Sequence, residues 1–532
     1  MGAAAALEAS PTDASSPTAA SPLERVRRVD WRFLLPDPLP RRVACLVPHD
    51  PAVAEAFELL GAEVTTGSAA AARRGSYDVV VTRRARPADL RQAAELVRPG
   101  GAIQLELPGR QARRCTRRLR ALGFVDARAY WHWPGWRDCR ELVPLDSPNV
   151  IRFALGRRRQ HGLAAVKGRL GRALLRARVF RLAVSQASVL AGRPEVAAAS
   201  VQAEPPSSDP PYATWLASGP PLLVTPRFRA SRHVLSLILP PGASQPVAAV
   251  KAARLPGDGS AIVAETVNLW ALESTSTTAT GTVPRVLACD PGEQPYLVET
   301  ALAGRPLTPA DVRRDPAATV GAVCTWLEGL SPDALFRPVL DQATFGQLVE
   351  RPLIKLAQAY GSLSEEALLA RATIDLLAPF EGAGLPLVFE HGDLSPPNVL
   401  RLEDGRIGVL DWELAHPHGL PAHDLLFFIG YAAFALRDAR TTEAQVAAVH
   451  EAFLGPSPWA VPALSGYARR LGIDRMLLAP LFVACWARYT TGLLERAAAT
   501  DAQTLAWLRA NRYFALWRHA VEHVHEFPGS RP

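Results

Sequence analysis

The chain has very little lysine. Lysine and arginine together account for 59 of its 532 residues, yet the only lysines are Lys167, Lys251 and Lys355. Nearly every basic position is therefore an arginine, whose planar guanidinium differs in shape and reach from the compact ammonium of lysine. A lysine that persists against this bias indicates a site that requires an ammonium group, and the alternative is a stray surface residue.

Close cysteine pairs and long hydrophobic runs are also absent. The 6 cysteines are scattered along the chain, which argues against a disulfide framework or a zinc cluster and predicts buried thiols. The longest apolar run, Met476 to Ala487, is too short for a membrane span and predicts a buried helix. Residues 1–24 lack the pattern of a signal peptide and predict a disordered tail. We therefore expect a cytoplasmic protein.

One stretch contains the residue types that phosphoryl transfer from ATP requires. It runs from His391 to Asn398 and is followed by Asp411-Trp412-Glu413. The reaction needs a carboxylate to orient the attacking hydroxyl and oxygen ligands for Mg²⁺. Asp393, Asn398 and Asp411 supply this set, and the first two have the spacing of a protein-kinase catalytic loop. The alternative is that both aspartates are ordinary turn and strand-end residues.

A β-hairpin is predicted between these polar groups. Val399 to Leu402 and Ile407 to Leu410 are apolar runs, and the segment that joins them contains Asp-Gly, a strong turn signal. Such a hairpin would bring Asp411 back beside Asn398.

The stretch from His391 to Glu413 resembles the signature of the aminoglycoside phosphotransferase and choline kinase-like family, whose fold is similar to that of protein kinases. The resemblance implies ATP and Mg²⁺ as cofactors and a small-molecule hydroxyl as the phosphate acceptor. It also implies that Asp393 is the catalytic base, that His391 braces the loop, and that Asn398 and Asp411 bind the metal.

The resemblance covers residues 217–532 and implies an α+β, kinase-like domain with two lobes, a small one at 217–305 and a large one at 306–532. The small lobe of such a fold carries a strand lysine for the phosphates and a helix glutamate that holds it. Lys251 ends a strand-like run and Glu265 lies in a helix-like run. We therefore predict that these two residues pair and contribute to the nucleotide site.

Three further positions matter to this resemblance. The strand-like run containing Glu299 is similar to the connector between the lobes, and its backbone is expected to meet the adenine. The segment Thr225 to Leu239, where a hairpin should cover the phosphates, departs from the family pattern because it lacks glycine. Phosphate contacts there would have to use Ser231, the backbone or arginine. Asp424 matches a later position that supports the catalytic loop.

Residues 25–195 alternate short apolar strands with helices, which predicts an α/β domain built on a parallel sheet. Tyr77 to Val81 and Leu96 to Ile103 resemble segments of class I S-adenosylmethionine methyltransferases. However, the turn after the first strand has prolines where the cofactor needs glycine. We predict a methyltransferase-like fold without methyltransferase activity, followed by a linker at 196–216.

The positive charge of the chain is unevenly distributed. The formal net charge is +8, and residues 156–181 interleave arginines with leucines at near-helical spacing. This pattern predicts a basic amphipathic helix, which can bind an anionic membrane surface and make the protein peripheral to the membrane. The alternative is a helix packed on its own domain. No nucleic acid is expected as a partner, because no recognisable binding module is present.

The chain after Asp424 has helical patterns, including one from Gln503 to His525, and balanced acidic and basic residues. A polycationic acceptor would favour clustered carboxylates, so we expect a neutral or anionic hydroxylated acceptor such as a sugar or a polysaccharide precursor. Two alternatives stay open. One is a catalytically inactive kinase-like scaffold or regulatory protein, and the other is a bifunctional methyl and phosphoryl transferase.

Overall fold

The structure is a computed structural model. It describes residues 21–46, 50–67, 73–157, 170–177, 179–195, 212–217, 219–226, 231–330, 338–497 and 500–528. Residues 1–20 of the predicted tail, 196–211 of the predicted linker and 158–169 of the predicted basic helix lie outside these ranges.

The N-terminal half alternates strands and helices, as the apolar pattern predicts. Its strands are β1 (Arg42–Cys45), β2 (Glu63–Thr66), β3 (Tyr77–Thr82), β4 (Val97–Leu107), β5 (Val125–Trp133), β6 (Glu141–Pro144) and β7 (Ala187–Gly192). Its helices are α1 (Pro22–Val26), α2 (Pro51–Leu59), α3 (Pro87–Leu96), α4 (Gly109–Ala121) and α5 (Pro148–Arg157), with 3-10 segments at Arg27–Leu34 and Phe180–Ala183.

The parallel sheet predicted for this half is only partly correct. Strands β2, β1, β3 and β4 pair in parallel, but β7 lies antiparallel between β4 and β5, and β6 is antiparallel to β5. The chain passes from β5 to β6 through a short connection, which can only produce an antiparallel pair. The methyltransferase-like character of this half stays a prediction.

The C-terminal half begins with α6 (Tyr212–Ala217), which includes the last five residues of the predicted linker. The strands of the small lobe are β8 (Pro221–Val224), β9 (His233–Ile238), β10 (Ala248–Ala253), β11 (Val286–Asp290) and β12 (Tyr296–Thr300), and helix α7 (Ser260–Thr275) follows β10. All neighbouring strands in this lobe are antiparallel.

The two halves share one sheet. Strand β8 of the small lobe pairs antiparallel with β6 of the N-terminal half, which produces a 12-stranded sheet with the order β11-β12-β10-β9-β8-β6-β5-β7-β4-β3-β1-β2. One apolar cluster on this sheet contains Trp31 and Phe33 together with Val250 and Val298. The small lobe is therefore packed against the N-terminal half through a common core.

The large lobe is mainly helical. Its helices are α8 (Pro309–Arg314), α9 (Pro316–Leu330), α10 (Gln342–Phe345), α11 (Arg351–Tyr360), α12 (Glu365–Leu377), α13 (His423–Arg437), α14 (Thr442–Phe453), α15 (Val461–Leu471), α16 (Leu478–Glu495), α17 (Ala502–Arg509) and α18 (Arg512–Glu522). Its short strands are β13 (Gly304–Pro306), β14 (Val388–Glu390), β15 (Val399–Leu402), β16 (Ile407–Val409) and β17 (His416–Gly419).

Helix α16 contains most of the longest apolar run. Residues 475–495 have the length and hydropathy of a membrane span, but 78% of the apolar window is buried inside the protein, as predicted for a core helix. The helical pattern from Gln503 to His525 is interrupted after α17, because the Asn511 side chain accepts the Tyr513 N–H (3.0 Å) and caps a new helix. Five of the cysteines are buried thiols, and Cys289 is half-buried.

Candidate active site

The predicted hairpin positions the polar residues of the large lobe. Strands β15 and β16 pair antiparallel with Val399 opposite Val409. The Leu410 N–H donates to the Asn398 carbonyl at 2.9 Å, which brings the next residue, Asp411, beside Asn398 as expected. Asp411 has a φ of +74°, a conformation uncommon for residues other than glycine and frequent at functional sites.

Asp424 supports the loop that carries Asp393, residues 391–398, through hydrogen bonds to the loop backbone. The Asp424 carboxylate accepts the backbone N–H groups of His391 (2.6 Å) and Gly392 (3.0 Å). Gly392 has a φ of +81°, and a Cβ there would lie 2.4 Å from the Leu414 carbonyl oxygen, so only glycine fits. Asp424 thus has the supporting position expected from the sequence.

His391 is a buried, neutral brace in this loop. Its Nδ1 accepts the Asp393 N–H at 3.1 Å, so its Nε2 carries the hydrogen and donates to the Leu410 carbonyl at 2.9 Å. Burial lowers the pKa of His391 to about 4, which keeps this tautomer uncharged at neutral pH. The ring also packs edge-on against Trp412, with centroids 4.6 Å apart.

Asn398 is held against Asp393. Its amide nitrogen donates to the Asp393 backbone carbonyl at 3.0 Å and to the Asp393 carboxylate at 3.2 Å. The amide oxygen is then the group with which Asn398 could coordinate a cation. The structure therefore brings three of the predicted residues, Asp393, Asn398 and Asp411, into one loop system.

Lys251 connects the two lobes. Its Nζ forms an ion pair with Glu265 of α7, lies 3.3 Å from Asp411 Oδ1 of the large lobe and 3.7 Å from Glu299 Oε1 of β12. Burial alone would lower the pKa of Lys251, but the three carboxylates raise it well above its usual value. The pairing of Lys251 with Glu265 that the sequence predicts is present.

Helix α7 also fixes the segment that follows Asp411. Glu265 accepts the Trp412 N–H at 3.0 Å, and Asn268 donates to the carbonyls of Trp412 (2.9 Å) and Ala415 (3.1 Å). Asn268 was missed in the sequence analysis. Its position three residues after Glu265, on the same helix face, was the available signal.

Several carboxyl groups are concentrated around Lys251. Glu265, Glu299, Asp411 and Glu413 surround it, and burial raises the pKa of Glu299 to about 8 and, with Asp411, that of Glu413 to about 7. Glu299 Oε2 is buried and has no hydrogen-bond partner among the described residues. Hard oxygen donors fit a Mg²⁺ ion, for which Asn398 and Asp411 are the candidate ligands.

Glu299 has an orientation that its sequence context does not predict. We expected this residue to contribute through its backbone beside the adenine, but its side chain points at Lys251. Strand residues alternate between the two faces of a sheet, and Glu299 pairs with Ala249, two residues from Lys251, on the neighbouring strand. The two side chains therefore lie on the same face.

Arg254 binds Pro226 and Ser231, two positions of the segment Thr225 to Leu239 that should cover the phosphates, and no motif in the sequence pointed to it. Its guanidinium donates to the Pro226 carbonyl (2.8 Å) and to the carbonyl and hydroxyl of Ser231 (2.6 and 2.7 Å). Ser231 is 1% exposed, and its hydroxyl also donates to the His233 carbonyl at 3.3 Å. The expectation that Ser231 contacts phosphate is therefore wrong, because its hydroxyl is buried and already bonded.

Arg254 is in turn held by the N-terminal half. Its Nε lies 3.3 and 3.2 Å from the two carboxylate oxygens of Asp30, and Arg32 donates to its backbone carbonyl. Asp30 and Arg254 are separated by 224 residues in the chain, so no local pattern could have revealed the contact.

A second charged cluster lies at the carboxyl ends of the parallel strands, where open α/β sheets bind their ligands. Arg28, from the 3-10 segment Arg27–Leu34, contacts Asp50 at 3.2 Å and also pairs with Glu106. Arg83 lies 2.7 Å from Glu106 and 3.6 Å from Asp50. We call these four residues the N-terminal ion network. Two arginines and two carboxylates balance each other in it.

The family of the C-terminal half follows from a match to residues 274–470. This segment matches the model of the phosphotransferase enzyme family, APH. Residues 274–470 are thus similar to that family. The matched residues include Glu299, the loop with Asp393 and both candidate metal ligands, which confirms the resemblance seen in the sequence and supports a kinase-like fold with phosphotransferase activity. The methyltransferase-like resemblance of the N-terminal half is not confirmed.

Several solved structures are similar to the chain at low sequence identity. Choline kinase LicA from Streptococcus pneumoniae is 12% identical with a TM-score of 0.37, and the match covers 57% of this chain and 92% of that one. An ethanolamine kinase from Plasmodium vivax is 11% identical with a TM-score of 0.37, covering 58% and 86%.

A third similar structure is an aminoglycoside phosphotransferase, APH(3'')-Id, from Streptomyces rimosus in complex with ADP and streptomycin. It is 17% identical with a TM-score of 0.30, and the match covers 47% of this chain and 90% of that one. No curated protein sequence matches the chain.

Proposed function

We propose that the C-terminal region is an ATP- and Mg²⁺-dependent phosphotransferase that acts on a hydroxyl group of a small molecule. The position of Lys251 carries this proposal. Its buried ammonium contacts Glu265 of the small lobe and Asp411 of the large lobe at the same time. A lysine held by a helix glutamate, next to a metal-binding aspartate, is the arrangement that active kinases need for phosphoryl transfer.

The other site residues have complementary roles in this proposal. Asp393 accepts the proton of the acceptor hydroxyl, and Asn398 keeps the Asp393 carboxylate oriented through its amide hydrogen bond. Asn398 and Asp411 would hold Mg²⁺, which when bound neutralises charge on the phosphates. Lys251 contacts the phosphates, and His391 and Asp424 keep the loop in place.

We propose a neutral or anionic acceptor, such as a sugar or a polysaccharide precursor. Glu390, directly before the loop, is already neutralised by Arg488 at 2.5 Å and lies 3.7 Å from His423. Although burial opposes it, Arg488 and His423 hold the pKa of Glu390 at about 2. This carboxylate is thus paired internally, which leaves it unsuited to bind a cationic acceptor.

For the N-terminal half we propose a methyltransferase-like fold without methyl transfer. The support is the N-terminal ion network, because Arg28 and Arg83 place guanidinium groups at the strand ends where a cofactor would bind. Asp50 and Glu106 are 8% and 3% exposed and are already paired. In a bifunctional methyl and phosphoryl transferase, these ion pairs would have to break before a methyl-donor cofactor could bind at the strand ends.

Thermal unfolding of the full chain tests the proposal. ATP is added with and without Mg²⁺, and S-adenosylmethionine is added in parallel. A ligand at a hundred times its dissociation constant adds about 2.7 kcal/mol to the free energy of unfolding, so saturable binding gives a visible shift. We expect a Mg²⁺-dependent shift with ATP and none with S-adenosylmethionine. No shift with ATP would instead favour the inactive scaffold.

A substitution at the metal site extends this test. Asp411→Asn removes one carboxylate beside Lys251, so the shift caused by ATP should lose most of its dependence on Mg²⁺. Asp404→Asn, on the exposed turn of the hairpin, is the matched control. An unchanged Mg²⁺ dependence in Asp411→Asn would refute its assignment as a metal ligand.

A further inference from the structure

A group of histidines lies in the large lobe outside the candidate active site. His450 of α14, His519 of α18 and His523 just after α18 bring their rings together, with centroid separations of 5.2 Å (450 to 519), 5.6 Å (450 to 523) and 4.3 Å (519 to 523). Glu526 adds a carboxylate, with Oε1 2.8 Å from His523 Nδ1 and Oε2 3.9 Å from His450 Nε2.

The fold fixes these side chains from two directions. His519 and His523 are four residues apart, so they share one face of the chain as it leaves α18. The turn with Glu526 is anchored by the next residue, Phe527, which is 2% exposed and packs on Phe482 of α16 with ring centroids 5.6 Å apart. The cluster therefore joins α14 to the end of the described chain.

We propose that His450, His523 and Glu526 bind a divalent transition-metal ion of the Zn²⁺ type. One ligand atom from each of the three residues lies within 4.8 Å of the other two. In a tetrahedral site with metal–ligand distances of about 2.0–2.2 Å, ligand atoms are roughly 3.4 Å apart. Small side-chain rotations would suffice to reach this spacing. Two imidazoles and one carboxylate form a ligand set that Zn²⁺ accepts with water in the fourth position.

His519 has a positioning role in this site. Its Nε2 lies 3.1 Å from Nδ1 of His450, so one of these nitrogens carries a hydrogen and the other accepts it. When Nε2 of His450 faces the metal, Nδ1 carries the hydrogen and donates to His519. Metal-bound histidines usually have such a hydrogen bond on the second ring nitrogen, where it fixes the tautomer and the ring orientation.

A second triad overlaps with the first. His519, Glu522 and His523 also fall within the same distance limit, and both triads need His523. We place the ion at His450, His523 and Glu526, because this position keeps the hydrogen bond between His450 and His519. His450 also lines a groove with a cavity volume of about 1010 Å³, together with His519 and Glu522.

Cobalt titration of the full-length protein tests the site. The protein is treated with a chelator, desalted, and titrated with Co²⁺ in excess Mg²⁺, which occupies oxygen-rich sites such as that of Asp411. We expect visible absorption bands of four-coordinate Co²⁺ that saturate at one equivalent and disappear when Zn²⁺ displaces the cobalt. Absence of saturable bands in the unsubstituted protein would overturn the proposal without reference to any variant.

Four variants separate the two triads. His450→Ala and Glu526→Gln should abolish the bands, and His519→Ala should weaken Co²⁺ binding by about 10–100-fold, as expected for a positioning residue. Glu522→Gln, in the competing triad, should leave binding unchanged, as should the control His418→Ala at an exposed position on β17. Loss of binding in Glu522→Gln, with binding retained in Glu526→Gln, would contradict the assignment.

Discussion

The 12-stranded sheet carries a charged cluster in each half, and the two clusters differ in their balance. In the N-terminal ion network, Arg28 and Arg83 are matched by Asp50 and Glu106. Around Lys251, by contrast, a single ammonium faces Glu265, Glu299 and Asp411. In a balanced network every charge is paired within the protein. Where carboxylates outnumber the basic groups, a bound cation can pair with the remainder.

This difference distinguishes a charged cluster that stabilises the fold from one that can bind a ligand, although both lie on the same sheet. Buried ions must be paired because each costs several kcal/mol to remove from water. The N-terminal network meets that requirement internally and therefore contributes to the fold. The cluster around Lys251 meets it only in part, with the pKa of Glu299 raised to about 8 chiefly by burial. A cluster of ionisable groups with shifted pKa values at the contact between two lobes is typical of a site that binds ligands.

The largest expected effect is at Asp393. Asp393→Asn removes the group that accepts the proton of the acceptor hydroxyl, so turnover should fall by about 10²–10⁴-fold while nucleotide binding persists. ATP consumption with a panel of acceptor alcohols measures the first quantity, and thermal shift measures the second. Asp404→Asn serves as the control. Full turnover in Asp393→Asn would remove Asp393 from the mechanism.

Breaking the balanced cluster should affect stability and leave nucleotide binding intact. Arg28→Met leaves Asp50 and Glu106 with only Arg83, and loss of one partner in a buried ion pair costs about 3–5 kcal/mol in the free energy of unfolding. Arg25→Met, which removes an ion pair with exposed Glu55, should cost less than about 1 kcal/mol. If urea unfolding gave the same loss of free energy of unfolding for Arg28→Met and Arg25→Met, the N-terminal ion network would not be important for stability.

The link between the two halves can be weakened separately. Asp30→Asn removes a carboxylate charge beside the buried Arg254 but keeps one acceptor, so we expect a loss of about 1–3 kcal/mol in the free energy of unfolding. Because Arg254 also holds Pro226 and Ser231, the dissociation constant for ATP should rise several-fold. Asp37→Asn, on the exposed part of the same segment, is the control. A loss of stability with an unchanged dissociation constant for ATP would show that the contact between Asp30 and Arg254 does not affect nucleotide binding.

A pH dependence due to Glu299 is also expected. Its pKa is about 8 in the folded protein and near 4.3 in an unfolded chain. Between these values the folded state holds a proton that the unfolded state has lost, so stability falls as pH rises. Melting temperatures from pH 5 to 8 without Mg²⁺ should fall less steeply in Glu299→Gln than in the control Glu403→Gln. If the melting temperatures of the two variants fell equally steeply with pH, the raised pKa of Glu299 would be contradicted.

Several features of the site could be predicted because their signals are local. The Asp-Gly turn and its flanking apolar runs specify the hairpin, and the hairpin brings Asp411 next to Asn398. The rarity of lysine identifies Lys251, and the helix-like run after it identifies Glu265. Each inference needed only neighbouring residues or a count over the chain. The roles of these residues in catalysis stay predictions.

Features that depend on distant pairing could not be predicted. Ser231 was one of three options for the phosphate contact, beside the backbone and arginine, but its hydroxyl is buried and accepts a hydrogen bond from Arg254. The mixed direction of the N-terminal sheet escaped detection because β7 is inserted between β4 and β5 from 54 residues beyond β5 in the chain. Alternating apolar residues indicate that a segment is a strand, but they do not indicate which other strand it pairs with in the sheet.

The hairpin and the phosphotransferase motif could be predicted from contiguous residues, because short-range conformational preferences and fixed spacing are local properties. The joining of the small lobe to the N-terminal half in one sheet through β6 and β8 depends on distant pairing and is seen in the folded chain alone. The tertiary structure also decided which charges are balanced, since Arg28 and Glu106 are separated by 78 residues. Burial and pairing depend on the whole fold, and they distinguish a structural ion pair from a ligand site.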